Sequence, residues 1–303
     1  MGVAVMKTKA EQAFSEAYSQ VADQLPGTDA VRTLRTEALS EFETLGLPHR
    51  RIEEWKYTDL RNQLKEALPV GVGDETSLTI ADVIVALGPL AHVEAYRAVL
   101  VNGRYRPELS SVDGGLSGVT VSSLATTLAG EGADGDALKS KTVPMDDAVL
   151  ALNTAYVTDG SLVDIAAGTT LGKPLMLVHI RAGGDARFNA VRHVISAGDN
   201  ANVSVVEAFV SLPGASQDGQ INVATDVTVG DQAIVHHIKL CMDGGGTTHL
   251  SNLMVNLGAS CNYRGFQQTQ GVSLARHQTL VTFNGEDAKL DLSGAILGAG
   301  TDH

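Results

Sequence analysis

Cysteine is scarce: Cys241 and Cys261 are the only two in 303 residues. Two thiols cannot build a disulfide framework, and no Cys-x-x-Cys spacing points to zinc or a bound cluster. Aromatic residues make up only 4% of the chain, which argues against a groove lined to hold sugar rings. Basic residues are outnumbered 22 to 35, for a net charge of -13. A nucleic-acid backbone would therefore meet repulsion. The one basic cluster, Pro48 to Lys65, also carries Glu53, Glu54 and Asp59 and reads as a solvated helical face. The longest apolar stretch, Val83 to Val101, is broken by Pro89, His92, Glu94 and Arg97, so it cannot cross a bilayer as a helix. Met1 to Ala10 lacks the apolar segment of a signal peptide. These absences predict a cytoplasmic protein with no nucleic-acid partner and no membrane insertion.

What is present favours strands. The chain is 44% hydrophobic and holds 32 glycines, a composition rich in turns and in small and β-branched residues. The opening is different. Ala10, Phe14, Ala17, Tyr18, Val21 and Leu25 recur at helical spacing until Pro26-Gly27. A second helix is predicted over Asp29 to Leu45 with Gly46 as its cap, and a third from Thr58 or Asp59 through Leu60, Leu64 and Leu68 to Pro69. Residues 75–140 are mixed, with strand candidates at Ala98 to Asn102 and Val119 to Ser122. One more short helix is predicted at Asp146 to Val157.

Beyond Gly160 come runs rich in Val, Ile, Leu and Thr: Leu162 to Ala166, Leu175 to Ile180, Val191 to Ser196, Val203 to Val210, Ile221 to Val229, Ala233 to Cys241, Leu250 to Leu257, His277 to Phe283 and Lys289 to Ile296. The organisation is thus a helical region at 1–70, a mixed α/β connecting region at 71–158 and a β domain at 159–303. Four punctuations accompany the strands: Gly198-Asp199-Asn200-Ala201, Gly230-Asp231-Gln232-Ala233, Gly258-Ala259-Ser260-Cys261 and Gly285-Glu286-Asp287-Ala288. Their glycines stand 32, 28 and 27 residues apart, about two strands per interval, as in a chain that coils and stacks on itself. Spacing alone leaves a glycine-rich sandwich open. The shortage of two-residue hairpin turns tilts the reading toward crossing connections.

Three groups of residues carry side chains or backbone suited to chemistry. His236, His237, Cys241 and His249 form the densest set of potential metal ligands. On one strand His236 and His237 face opposite ways, and His237 and Cys241 share a face about 13 Å apart. A tetrahedral site from this segment alone fails, ligands from neighbouring strands such as Cys261 remain conceivable, and packing is the preferred reading. Gly244-Gly245-Gly246 lacks the lysine and helix of a phosphate loop and reads as a turn. The carboxylate pairs Glu53-Glu54, Asp146-Asp147 and Glu286-Asp287 sit where helix starts or turns are expected. No nucleophile elbow appears. No catalytic, cofactor-binding or metal residue is therefore assigned.

The run Leu47-Pro48-His49-Arg50-Arg51-Ile52-Glu53-Glu54-Trp55-Lys56-Tyr57-Thr58-Asp59-Leu60 resembles the N-terminal signature of the SufD family. Glu54, Trp55, Lys56, Tyr57 and Thr58 carry it, with Trp55 and Tyr57 expected to anchor the loop against the core and Thr58 to cap the next helix. Further similarity follows in order: Val101-Asn102-Gly103-Arg104-Tyr105, Leu109-Ser110, Ala151-Leu152-Asn153-Thr154-Ala155-Tyr156 with Asp159-Gly160, then Gly285-Glu286-Asp287-Ala288 and Leu292-Ser293-Gly294. The last two match the pattern shared by SufB and SufD.

This resemblance implies a mainly β protein, a right-handed parallel β-helix core preceded by an N-terminal α-helical region. It implies a non-catalytic scaffold subunit that pairs with SufB through the β-helix and binds the SufC ATPase, with the flank of the rod rather than a pocket carrying the biology. A nascent iron-sulfur cluster would form at the SufB interface, and this chain alone would hold no cofactor. The family pattern runs on past Thr301-Asp302-His303 into further coils, a cysteine and histidine segment and the region that docks SufC, so none of those residues can be assigned here. Unless something covers it, an open coil end is expected to self-associate or to be partly disordered there. Two alternatives stay open: a SufB-like cluster scaffold, disfavoured by the Trp55 signature, and a carbohydrate-active β-helix enzyme.

Overall fold

A computed structural model describes residues 6–73, 76–112, 116–140 and 147–298. The chain end at Thr301 to His303 lies outside these residues, as does Asp146. α1 (Lys9–Val21) opens with a capping box: the Thr8 side chain accepts from Glu11 N, and Glu11 reaches back to Thr8 N. α2 (Asp29–Leu45) has the bounds that its periodicity predicts, from the Thr28 cap to Gly46 at φ +67°. The third helix departs from expectation. α3 spans only Leu60–Gln63, and its cap is Asp59, accepting from Asn62 N, not Thr58. The chain is drawn out of the helix because the sheet captures it. Gln220 donates to Glu66 O and accepts from Leu68 N, and Val70 bridges to Phe188.

The mixed region holds two helices not foreseen, α4 (Ile80–Leu87) and α5 (Leu124–Ala129). α6 (Ala148–Tyr156) starts at Asp147, whose carboxylate accepts from Val149 N and Leu150 N. The strands are β1 (Tyr96–Val101), β2 (Arg104–Tyr105), β3 (Val119–Ser123), β4 (Asp159–Ile165), β5 (Leu175–Arg181), β6 (Phe188–Ala197), β7 (Asn202–Ser211), β8 (Asp218–Val229), β9 (Ile234–Cys241), β10 (Gly246–Leu257), β11 (Asn262–Gln270), β12 (Leu274–Phe283) and β13 (Lys289–Leu297). β11 has no counterpart in the sequence reading.

From β4 onward successive strands alternate between two sheets, ordered β13-β11-β9-β7-β5-β1-β2 and β12-β10-β8-β6-β4-β3. Each strand pairs in parallel with the strand two places on. Five coils result, and the architecture is a parallel β-helix. The segment before 159 is not separate from it, since β1 pairs in parallel with β5.

The four glycine punctuations are one repeated corner. Asn200, Gln232, Ser260 and Asp287 are left-handed at φ 54° to 60°, and each corner bonds to the one stacked on it through Asn200 N to Asp231 O, Gln232 N to Ala259 O and Ser260 N to Glu286 O. The glycines are required by proximity. A Cβ on Gly198 or Gly230 would lie 2.6 Å from a backbone nitrogen of the neighbouring coil. Beside these corners, in-register columns such as Val163, Ile195, Val227, Val255 and Val281 fill the interior with branched aliphatics.

Helices cover the outside. α1, α2 and α6 lie over the β6–β8–β10 face, packing Phe14, Phe42 and Tyr156 with Phe188, Ala190 and Leu250. α4 sets Val83 and Leu87 against Val99, Val178 and Ala208 of the other sheet. This double coverage explains why β5 is buried at all seven positions. Asn153, at the heart of the signature on α6, donates to Val191 O and Asn222 O at 3.0 and 2.9 Å, while Asn222 donates back to Val149 O. Asn153→Ala removes both bonds from a fully buried position and is expected to cost about 2 kcal/mol, read as a lower urea midpoint at unchanged slope. A shift below about 0.5 kcal/mol would show that the helix docks by apolar packing alone.

Candidate functional site

The family-like motifs turn out to be joints. Trp55 is buried, and Arg276 of β12 lies 4.1 Å above its ring while donating to Glu54 O at 2.6 Å. Tyr57 corrects the expectation of a second anchor: it is 82% exposed, with Lys56 stacked over its ring. A phenol beside charged side chains gains more from water than from a core already closed by Trp55. Asp159 ties the motif ending at Tyr105 to its own and to the start of α5, its carboxylate accepting from Tyr105 N, Ser123 Oγ, Ala125 N and Gly160 N. Gly160 sits so close to the Arg192 carbonyl that any Cβ would overlap it. Asn102 holds both polar groups of Ala182.

The chemistry lies inside the coil. Along one sheet, three interior columns run Leu175–Val205–His237–Gly265, Leu177–Glu207–Lys239–Gln267 and His179–Phe209–Cys241–Thr269. The opposing sheet contributes Ser161–His193–Thr225 and Val223–Ser251–His277. Polar and apolar positions thus mix along the bore, which opens into a cavity of about 590 Å³ lined by Glu207, His237, Lys239, Thr269 and His277 among others. Thr58 borders the same cavity.

At the centre, Glu207 is fully buried and bonds to everything around it. It accepts from Thr225 Oγ1 at 3.0 Å, His237 Nε2 at 2.9 Å and Lys239 Nζ at 3.3 Å. Lys239 also donates to Ser251 at 2.7 Å. Burial alone would push the Glu207 carboxyl up, but the Lys239 ammonium and the His237 bond hold it well below the usual carboxylate range. Burial pushes the Tyr263 phenol up, so it keeps its proton and donates to His237 Nδ1 at 2.7 Å, leaving Nε2–H for Glu207.

Two histidine groups flank this centre. Ser161 N–H donates to His193 Nδ1 at 3.1 Å, which places the proton of the neutral ring on Nε2, pointed at His179 Nε2 3.0 Å away. Burial holds His193 down at about 4 and His179 well below its ordinary value. Ser161 Oγ lies 2.7 Å from His193 Nδ1, the spacing of a nucleophile and its base. Both residues are enclosed at 0% exposure, so no substrate reaches them and the pair is structural. On the other side of Phe209, Cys241 Sγ lies 3.5 Å from His249 Nε2 and 4.0 Å from His277 Nε2. Burial pushes the Cys241 thiol up and the His249 ring well down, and it brings His277 to about 3.

Of the four potential ligands in this segment, His236 faces outward, His237 belongs to Glu207, and Cys241 and His249 meet. Their third partner is His277, not Cys261, which is buried among aliphatics at a corner. Gly244 and Gly245 form the turn expected of them, both at positive φ. The coil interior holds a cluster of buried ionisable groups, His179, His193, Glu207, His237, Lys239 and His249. Single-strand spacing could not show this; His249 and His277 stand 28 residues apart, one glycine interval, which is the signal that brings them to neighbouring coils.

Residues 8–177 match the family described as the SufBD protein N-terminal region, and residues 179–303 match that of the SUF system FeS cluster assembly, SufBD core domain. Two curated relatives are similar over most of the chain. One is the iron-sulfur cluster assembly SufBD family protein slr0076 of Synechocystis, 28% identical over 274 residues, 85% of this chain and 57% of that protein. The other is the iron-sulfur cluster assembly protein SufD of Escherichia coli, 27% identical over 267 residues, 86% of this chain and 57% of that protein. The chain therefore spans little more than half the length of these relatives. With both halves of the family pattern matched in order on a parallel β-helix behind a helical head, the chain belongs to the SufB/SufD family of iron-sulfur cluster assembly proteins.

Proposed function

We propose that this chain forms the larger part of a SufD-type scaffold subunit, which pairs with SufB through the β-helix and engages the SufC ATPase. Its role is to position a nascent iron-sulfur cluster jointly with SufB, without turnover of its own. The observation that carries this reading is the unbroken sequence of the two family matches, from residue 8 to residue 303. The similarity to a relative named SufD adds to it. The structure supports a positioning role, since the signature residues Glu54, Trp55, Asn153 and Asp159 all join helices to coils and so fix the shape of the rod. Among the described residues no helix is long and apolar enough to cross a membrane.

The protein carrying this chain, co-expressed with SufB and SufC, is expected to be recovered with both in one complex, and to show no catalytic activity when purified alone. Recovery of neither partner would defeat the reading. Recovery with SufC in place of SufB would favour the SufB-like alternative.

A further inference from the structure

We propose that Cys241, His249 and His277 form a site for one divalent transition ion of the zinc class, bound by the Cys241 sulfur and the Nε2 atoms of both histidines. The three residues come from β9, β10 and β12, and their ligand atoms all lie within 4.8 Å of one another. Metal–sulfur and metal–nitrogen bonds of about 2.3 and 2.0 Å at a tetrahedral angle place sulfur and nitrogen about 3.5 Å apart. The His249 nitrogen is already at that separation, 3.5 Å from the sulfur, and the His277 nitrogen needs to close from 4.0 Å. His277 is the partly exposed member and lines the 590 Å³ cavity, so an ion has a path to it. That cavity also supplies the open fourth position.

A purely structural cluster of buried polar side chains would have its hydrogen bonds satisfied. Two histidines of the bore obey this rule, His193 and His237, each using both ring nitrogens. His249 and His277 do not. Each aims Nε2 at the same sulfur, while Nδ1 of each is buried without a partner. Imidazole ligates in its neutral form, through the Nε2 lone pair that each ring turns toward the sulfur. The thiol must ionise: its proton leaves to solvent as the metal–sulfur bond forms, so the bound site gains one net positive charge. His277 also gives up its contact with Thr269 Oγ1 at 2.9 Å.

The bare Nδ1 atoms also decide the strength. Ligating histidines are normally oriented by an acceptor on the second nitrogen, and loss of such a partner weakens binding about 10- to 100-fold. The Lys239 ammonium nearby acts in the same direction. The ion is therefore exchangeable, removed by chelators without unfolding the coil. This inference stands apart from the proposed partners.

The test uses the chelator-treated, reduced full chain titrated with Co²⁺. The expected result is the visible absorption of tetrahedral cobalt with a sulfur-to-metal charge-transfer band, saturating at one ion per chain and displaced by Zn²⁺. Cys241→Ser should abolish the charge-transfer band, His277→Gln should weaken binding at least about 10-fold, and Cys261→Ser should change neither. Circular dichroism establishes that each variant is folded. If Cys241→Ser does not fold, His277→Gln decides, because its partly exposed position tolerates the change. No cobalt spectrum with folded wild-type protein, an unchanged spectrum in the His277 variant, or loss of the band in Cys261→Ser would each overturn the assignment.

Discussion

Between about pH 6.5 and pH 5 the protein should lose several kcal/mol of stability, because each buried ring that must take up a proton on unfolding contributes about 1.4 kcal/mol per pH unit. His179, His193, His249 and His277 are all held below their ordinary value, chiefly by burial, with His193 at about 4 and His277 at about 3. In this window the unfolded chain binds more protons than the native one, so stability is complete above the ordinary histidine range and falls as pH drops toward the folded values. One group opposes them. Burial raises Asp243 to about 6, so its carboxyl binds a proton in the folded state first and gives back one ring's share. Four rings against one carboxyl leave a slope of about 4 kcal/mol per pH unit at its steepest, enough to use up the about 5–15 kcal/mol of a typical domain before pH 4. Urea midpoints at pH 7.5, 6 and 5 under constant ionic strength measure it. A flat profile would mean that water reaches the bore and that these rings titrate as if exposed.

How much of this was legible in the sequence follows from which faces the residues serve. α2 was readable to the residue because its apolar stripe, Val31, Ala38 and Phe42, meets one partner face. The corners were readable because glycine is forced wherever stacked coils touch, and the same spacing recurs. β11 escaped notice because its interior positions are Tyr263, Gly265, Gln267 and Thr269, which line the polar bore and break the apolar run that marks a strand. α4 escaped for the opposite reason: Ile80 to Leu87 is apolar except for Asp82, with Ile80, Ile84 and Val85 left exposed, and a run this short and this β-branched reads as strand as readily as helix. The pairing of Cys241 and His249 with His277 depends on register between strands that lie a coil apart. Register is set by corner and connection lengths along the whole β-helix, not by any local motif. The family resemblance supplied the coil that periodicity left open, but its signature residues are the joints rather than the chemistry.

The buried ion pair at the centre of the bore should behave asymmetrically under mutation. Glu207→Ala leaves Lys239 at 4% exposure with Ser251 and the face of Phe209 in place of a carboxylate, and Lys239→Met leaves the Glu207 carboxylate with His237 and Thr225. Each single change is expected to cost about 3–5 kcal/mol, since it strands a charge in a site of low dielectric. Glu207→Leu combined with Lys239→Met removes both charges at similar volume and should return to within about 1–2 kcal/mol of the parent, because the attraction of a buried pair barely exceeds its desolvation. Denaturation midpoints of the four proteins close the cycle, and a double variant as unstable as the sum of the singles would sink this account. The double variant also carries a second readout. Lys239 is the largest influence after burial in lowering His249 and His277, and Glu207 opposes it more weakly. With the pair removed, those two rings should accept protons more readily, while His179 and His193, where Glu207 outweighs Lys239, should accept them less readily, so ring-resolved NMR titration should show the two pairs moving in opposite directions.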